Sequence, residues 1–214
     1  MKKLNGKTDA QKYMLFGELT QPFLPTIELE MQIFKSTNQQ LNHGKTFTII
    51  DALLQFIHEN VKPTTDIDFK LKNKFNRTAK EIWQSGMATG YTDYALLFCC
   101  LARQIRIPTT FLSTVGKTFY TQSRAGQKPQ LYVGHQFCEC YCSCYNADFN
   151  KTWVLIDPTI CKITTKYATN KNILLDYSVG GEKSFIPYFR DLDFGEKTTI
   201  HDWNNQIDQF IDNK

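Results

Sequence analysis

Gly90-Tyr91-Thr92-Asp93-Tyr94-Ala95-Leu96-Leu97-Phe98 is the stretch around which the rest of the chain is arranged. A glycine turn feeds a helix predicted from Tyr91 to Ile105. Its Ala95, Leu96, Leu97, Phe98, Cys99, Cys100, Leu101 and Ala102 make it apolar on nearly every face, which places it in the middle of a domain. Unpaired backbone N–H groups and the positive end of the helix dipole meet at its first turn, a setting that stabilises an anion or a thiolate. Tyr91 stands in that field. Asp93, two residues on, complements the dipole and reads as a stabiliser of the helix start.

Upstream, residues 9–42 suggest two helices interrupted near Pro22 and Pro25, with Ile27, Leu29, Met31, Ile33 and Phe34 supplying apolar surface. A clearer helix follows Thr46 or Thr48, where Ile49, Ile50, Leu53, Leu54, Phe56 and Ile57 recur at helical spacing until Pro63. Thr64 to Asn76 reads as a polar loop and Arg77 to Trp83 as a short helix. Downstream, Pro108 ends the central helix and Thr109 to Val115 is a strand. Gly116 to Pro129, with Lys117, Arg124 and Lys128, fits a lid over a cleft or an ordinary long loop. Leu131 to Tyr145 is a long strand, Asn146 to Asn150 a turn, and Thr152 to Asp157 the antiparallel partner. Beyond Thr159 come a Gly180-Gly181 break, a short strand at Phe185 to Phe189 and an amphipathic helix from Thr198 to Ile211. Helices first and an antiparallel sheet afterwards predict an α+β fold.

The 214 residues suit one domain, and the net charge of +4 comes from dispersed Lys and Arg, so no electrostatic footprint for nucleic acid is evident. The basic opening is followed by no apolar run, and no stretch approaches the ~20 apolar residues of a spanning helix, so a cytoplasmic protein without membrane contact is expected. Seven cysteines, odd in number and mostly clustered, read as reduced thiols. Cys138, Cys140, Cys142 and Cys144 alternate along one strand face ~6.6–6.8 Å apart, too far for convergence on one metal, and read as core residues. No metal is expected.

Acyl transfer by a thiol needs a stabilised nucleophile, an imidazole to exchange its proton and a group that orients the imidazole. His135 begins the long strand and Asp157 ends the next one. With the turn centred near Asn146, an antiparallel ladder sets positions 135 and 157 directly opposite, within reach of each other. His43, His58 and His201 have no comparable partner. Gln84, shortly before the helix, is a candidate oxyanion-hole amide or a surface glutamine, and Phe137 and Trp153 are candidate core or cleft-wall aromatics.

The order Gly90-x-x-Asp93-Tyr94-Ala95, then Arg103-x-x-x-Ile107-Pro108, then His135-x-Phe137-x-Glu139-x-Tyr141, then Trp153 to Asp157-Pro158-Thr159 resembles the transglutaminase-like superfamily of papain-fold acyl-transfer enzymes. The likeness spans Ile49 to Thr159. It implies a papain-like α+β core over residues 46–160, an N-terminal helical region over 1–45 and a C-terminal extension over 161–214, within a single domain. It further implies that His135 and Asp157 match the family's catalytic histidine and aspartate. The family's cysteine falls on Tyr91, where this sequence departs from the pattern. Cys99 and Cys100, roughly 12 Å down the helix, cannot replace it. The expected function is a catalytically degenerate domain that binds a peptide or protein segment in the ancestral cleft. The alternatives are an active peptidase, amidase or protein-glutamine acyltransferase working through Tyr91 or another nucleophile, and a scaffold whose former site is filled core. No cofactor is implied.

Overall fold

One buried helix sets the layers of this fold. The computed structural model describes residue 4 and residues 6–24, 26–37, 46–127, 129, 131–143, 151–169 and 171–213. In chain order it runs through α1 (Gly6–Lys12), a 3₁₀ turn (Glu18–Thr20), α2 (Thr26–Thr37), α3 (Thr46–Asn60), β1 (Lys62–Pro63), α4 (Ile67–Asn73), α5 (Ala79–Ser85) and β2 (Met87–Ala88). Then come α6 (Tyr91–Gln104), β3 (Thr109–Gly116), α7 (Lys117–Arg124), β4 (Gly134–Ser143), β5 (Lys151–Asp157), β6 (Lys162–Thr164), β7 (Ile173–Val179), β8 (Glu182–Asp191) and α8 (Ile200–Asp212). The strands form an antiparallel sheet in the order β6-β5-β4-β3-β8-β7, and β1 and β2 make a small parallel pair.

Every residue of α6 from Thr92 to Gln104 is buried, as its all-round apolar sequence predicts. The helices α3 and α5 cover one side and the sheet the other. Alternation along β4 decides what meets it. Gln136, Cys138, Cys140 and Cys142 share one face, where the Cys138 thiol donates to the Ala95 carbonyl at 3.5 Å and lies 3.5 Å from the Cys99 sulfur. His135, Phe137, Glu139 and Tyr141 point to the opposite face.

A buried charge near each end of this buried helix is bonded to other segments of the chain. At the C-terminal end the Arg103 guanidinium donates to the Thr109 carbonyl (2.9 and 2.7 Å), the Thr20 hydroxyl (2.9 Å) and the Leu192 carbonyl (2.7 Å). At the N-terminal end the Asp93 carboxylate accepts from the amide (2.6 Å) and hydroxyl (2.7 Å) of Thr89 and pairs with the buried Arg77 guanidinium. Glu139, also fully buried, accepts from Arg190 (2.5 and 2.7 Å), Thr110 (2.7 Å) and Tyr167 (2.7 Å), tying β4 to β3 and β8.

Two expectations are corrected. The polar segment Thr64 to Asn76 contains α4, because the Asp66 carboxylate caps it by accepting from the Phe69 amide at 2.9 Å, and a cap can start a helix that has no buried residue. Gly116 to Pro129 contains α7, anchored by buried Phe119. The break expected at Gly180-Gly181 is the turn of the β7–β8 hairpin, both residues taking the positive φ (58° and 82°) of a type I′ loop. Pro25, His43, Lys128, Cys144 and the turn expected at 146–150 lie outside the described residues.

Replacing Asp93 with alanine strands the buried Arg77 charge and opens the first turn of α6. Urea denaturation at neutral pH should show a loss of about 3–5 kcal/mol; a loss under ~1 kcal/mol would show that Arg77 finds water or another partner.

Candidate functional site

Strand and helix ends bring Tyr91, His135 and Asp157 together. Tyr91 is the first residue of α6, His135 the second of β4, and Asp157 the last of β5. The pairs Cys138↔Ile156 through Ser143↔Lys151 set the ladder. Continued by one step, that register puts Asp157 across from Phe137, so His135 and Asp157 are diagonal neighbours and not directly opposed as the sequence suggested. The ladder is centred one residue later than Asn146. Diagonal positions on one face are still within reach of a ring, and His135 Nε2 lies 2.8 Å from Asp157 Oδ2, with both residues buried.

The carboxylate is held from three directions. The Tyr177 hydroxyl from β7 donates to the same Oδ2 at 2.5 Å and the Thr159 amide donates to Oδ1 at 3.0 Å. Burial alone would raise the Asp157 pKa. The hydrogen bond and charge of His135, then the Tyr177 hydroxyl and the Thr159 amide, outweigh burial and hold it below the ordinary carboxylate range. Burial and this same carboxylate push the Tyr177 phenol up. With Nε2 engaged, the buried Nδ1 of His135 has no hydrogen-bond partner among the described residues.

Tyr91 meets this ring edge-on, with centroids 5.0 Å apart and planes at 63°. Burial pushes its phenol up to about 12, so it is neutral at physiological pH. Its ring packs on a cluster that includes Phe75, Val115, Phe119 and Trp203, and the Lys74 ammonium lies 5.8 Å from the ring centre. Phe75 adopts a left-handed φ of 63°, stacks on Trp203 at 5.2 Å, and accepts the Thr198 amide at 3.0 Å through its carbonyl. A bulky residue in that backbone region is strained and must be held there by its surroundings.

The position before His135 admits only glycine. A Cβ on Gly134 would come within 2.8 Å of the Thr114 carbonyl oxygen and 2.9 Å of the Trp203 ring. The last helix, α8, therefore abuts the strand at the site. Under the imidazole lies Phe137, fully buried, with centroids 4.6 Å apart and planes at 71°.

Two aromatic or amide candidates lie elsewhere. Trp153 pairs with Tyr141, six residues along β4 from His135 and roughly 20 Å away at ~3.3 Å per residue. There it packs edge-on against Tyr13 at 6.0 Å, as a core residue at the far end of the sheet. Gln84 is exposed on α5 and makes no hydrogen bond to Tyr91 or His135. Conversely, Tyr177, Gly134 and Lys74 escaped the sequence reading, while His58, expected to lack a carboxylate partner, donates through Nε2 to the Pro158 carbonyl (2.7 Å) and stacks on Tyr94 at 4.6 Å. The signal for Tyr177 was its place in the period-two pattern of Ile173–Val179.

No protein-family model and no curated protein matches the chain. Among solved structures it is similar to that of a candidate cysteine protease from Cytophaga hutchinsonii, with a TM-score of 0.51 and 14% identity. The match covers 89% of this chain and 48% of the other, so this chain spans about half the length of that protein. The likeness is one of fold, and agrees with an α+β core of helices on an antiparallel sheet. Among the described residues, no helix is long and apolar enough to cross a membrane.

Removing the Tyr177 hydroxyl by Tyr177→Phe takes away one of the contacts that lower the Asp157 pKa. A depressed carboxylate contributes stability above its unfolded value of ~3.9 and loses it as pH falls through the folded value. Tyr177→Phe should therefore move the acid-unfolding midpoint to higher pH and cost about 1 kcal/mol at pH 7, read by circular dichroism.

At the alkaline end the sign reverses. The phenols of Tyr91, Tyr94 and Tyr132 are pushed up to about 12, so their contribution is intact below ~10 and is lost as pH rises toward 12. In a phenolate absorbance titration, Tyr91→Phe should remove amplitude from the late phase only.

Proposed function

We propose that this chain carries a papain-like, transglutaminase-like domain over residues 1–214 that no longer performs thiol acyl transfer. In this reading it binds a peptide or protein segment across the head of α6. The observation that carries the proposal is the Tyr91 side chain: a neutral phenol set edge-on to the imidazole where an acyl-transfer enzyme of this type keeps a thiolate. With a pKa of about 12, only about one phenol in 10⁵ is ionised at pH 7. A thiol titrates near ~8.5 and is lowered to ~3.5–7.5 by a helix N-terminus and a cationic imidazole. The ring also occupies volume that an acyl group would need.

His135 and Asp157 then act as a fixed, buried polar pair beneath the binding site. Space for a ligand lies at the start of α6, where a side chain added at Gly90 would meet nothing within 4 Å.

The test is Tyr91→Cys. The new thiol should be alkylated by iodoacetamide with a pH midpoint below ~8.5, and the added change His135→Ala should move that midpoint upward. The native thiols of Cys100, Cys138 and Cys140 stay silent, because burial pushes their pKa values up. A wild-type chain that hydrolyses or transfers amides, and loses this activity on Tyr91→Phe, would overturn the proposal.

A further inference from the structure

The helix α4 leads to Tyr91 and presents an unusual face. Ile67, Lys70, Leu71 and Lys74 follow one another at i, i+3, i+4 and i+7, so they share one side, Lys74 being the C-terminal cap. Ile67 is 70% and Leu71 65% exposed, and no residue of α4 is buried. At the end of the stripe Lys74 is half-buried, its ammonium over the Phe75 ring at 5.3 Å and the Tyr91 ring at 5.8 Å.

None of Lys70, Lys72 and Lys74 forms an ion pair among the described residues. Basic residues in the last turn favour the C-terminal end of a helix, but that accounts for neither the two exposed aliphatic side chains nor the half-burial of an ammonium. Burial, then the adjacent Lys70 charge, lowers the Lys74 pKa, and Asp93 opposes them only in part. An anion arriving at Lys74 would relieve both costs.

We propose that this face of α4 is the docking surface for an acidic peptide segment, whose apolar side chains cover Ile67 and Leu71 and whose carboxylate reaches Lys74 beside Tyr91. The inference rests on the peptide-binding reading above and names the chemistry of the peptide. Charge complementarity selects the occupant: two apolar contacts alternate with two unpaired cations, the complement of a segment in which Asp or Glu alternates with aliphatic residues.

The experiment is panning a random peptide library displayed on phage against the whole folded chain and, in parallel, against Lys70→Glu/Lys74→Glu, whose folding is verified by thermal melting. Selected peptides should combine Asp or Glu with aliphatic residues. Synthesised singly, they should bind wild type at least ~tenfold more tightly than the double variant, weaken as salt is raised, and lose affinity when Glu is replaced by Gln. Absence of enrichment, enrichment of peptides without carboxylates, or equal binding to both proteins would overturn the inference. The outcome is separable from the nucleophile test, because α4 can bind an acidic peptide whether or not a cysteine at position 91 becomes a reactive thiolate.

Discussion

Surrounding α6 completely is the constraint on which the other elements depend. A helix buried on every side must have its position fixed by the surrounding chain, and here a buried charge near each end does so. Arg103 collects the carbonyls of Thr109 and Leu192 at one end, and Asp93 collects Thr89 and Arg77 at the other. Each anchor joins segments far apart in sequence. Arg103 ties the 3₁₀ turn and the segment after β8 to the start of β3, while Arg77 ties the loop after α4 to the head of α6. Charges at such positions are costly to bury, and what they secure is the placement of the helix in the sheet.

The candidate site inherits its precision from the sheet. Phe137 packs under the imidazole, Asp157 orients it, and Tyr177 orients Asp157, so residues of β4, β5 and β7 together determine one ring. Tyr91 meets that ring at the end of a helix that is equally fixed.

Much of this was legible in the sequence because it depended on burial and alternation. The all-round apolar run after Tyr91 required a central helix, and the alternating cysteines required a strand with one face on the core. The encounter of His135 with Asp157 followed from antiparallel pairing, although the register was off by one position per strand, since nothing in residues 144–150 sets the length of the connection. What stayed hidden depended on long-range company. Tyr177 gains its role only because β7 folds back across β8, and Gly134 is required only because Trp203, about seventy residues later, packs on its backbone. Likewise α4 has only Ile67 and Leu71 at helical spacing in a seven-residue, lysine-containing segment, too short a pattern to distinguish a helix from a polar loop. Trp153 belonged to a recognisable motif, yet strand length carried it to the opposite end of the sheet.

Gly134 and Trp203 also bear on how the chain reaches this state. The surroundings of His135 are completed by Tyr91 from the middle of the sequence, by Tyr177 from the second half and by Trp203 from the last helix. Nothing local assembles them. Such non-local closure has an entropic cost that must be met before the contacts form, and chains dominated by it fold slowly. The helix α6 depends on local hydrogen bonds within one segment, but the His135–Asp157 pair is complete only when β4, β5, β7 and α8 have come together. In a refolding experiment helical signal should therefore precede the site, and a chain caught between the two stages exposes the apolar flank of α6.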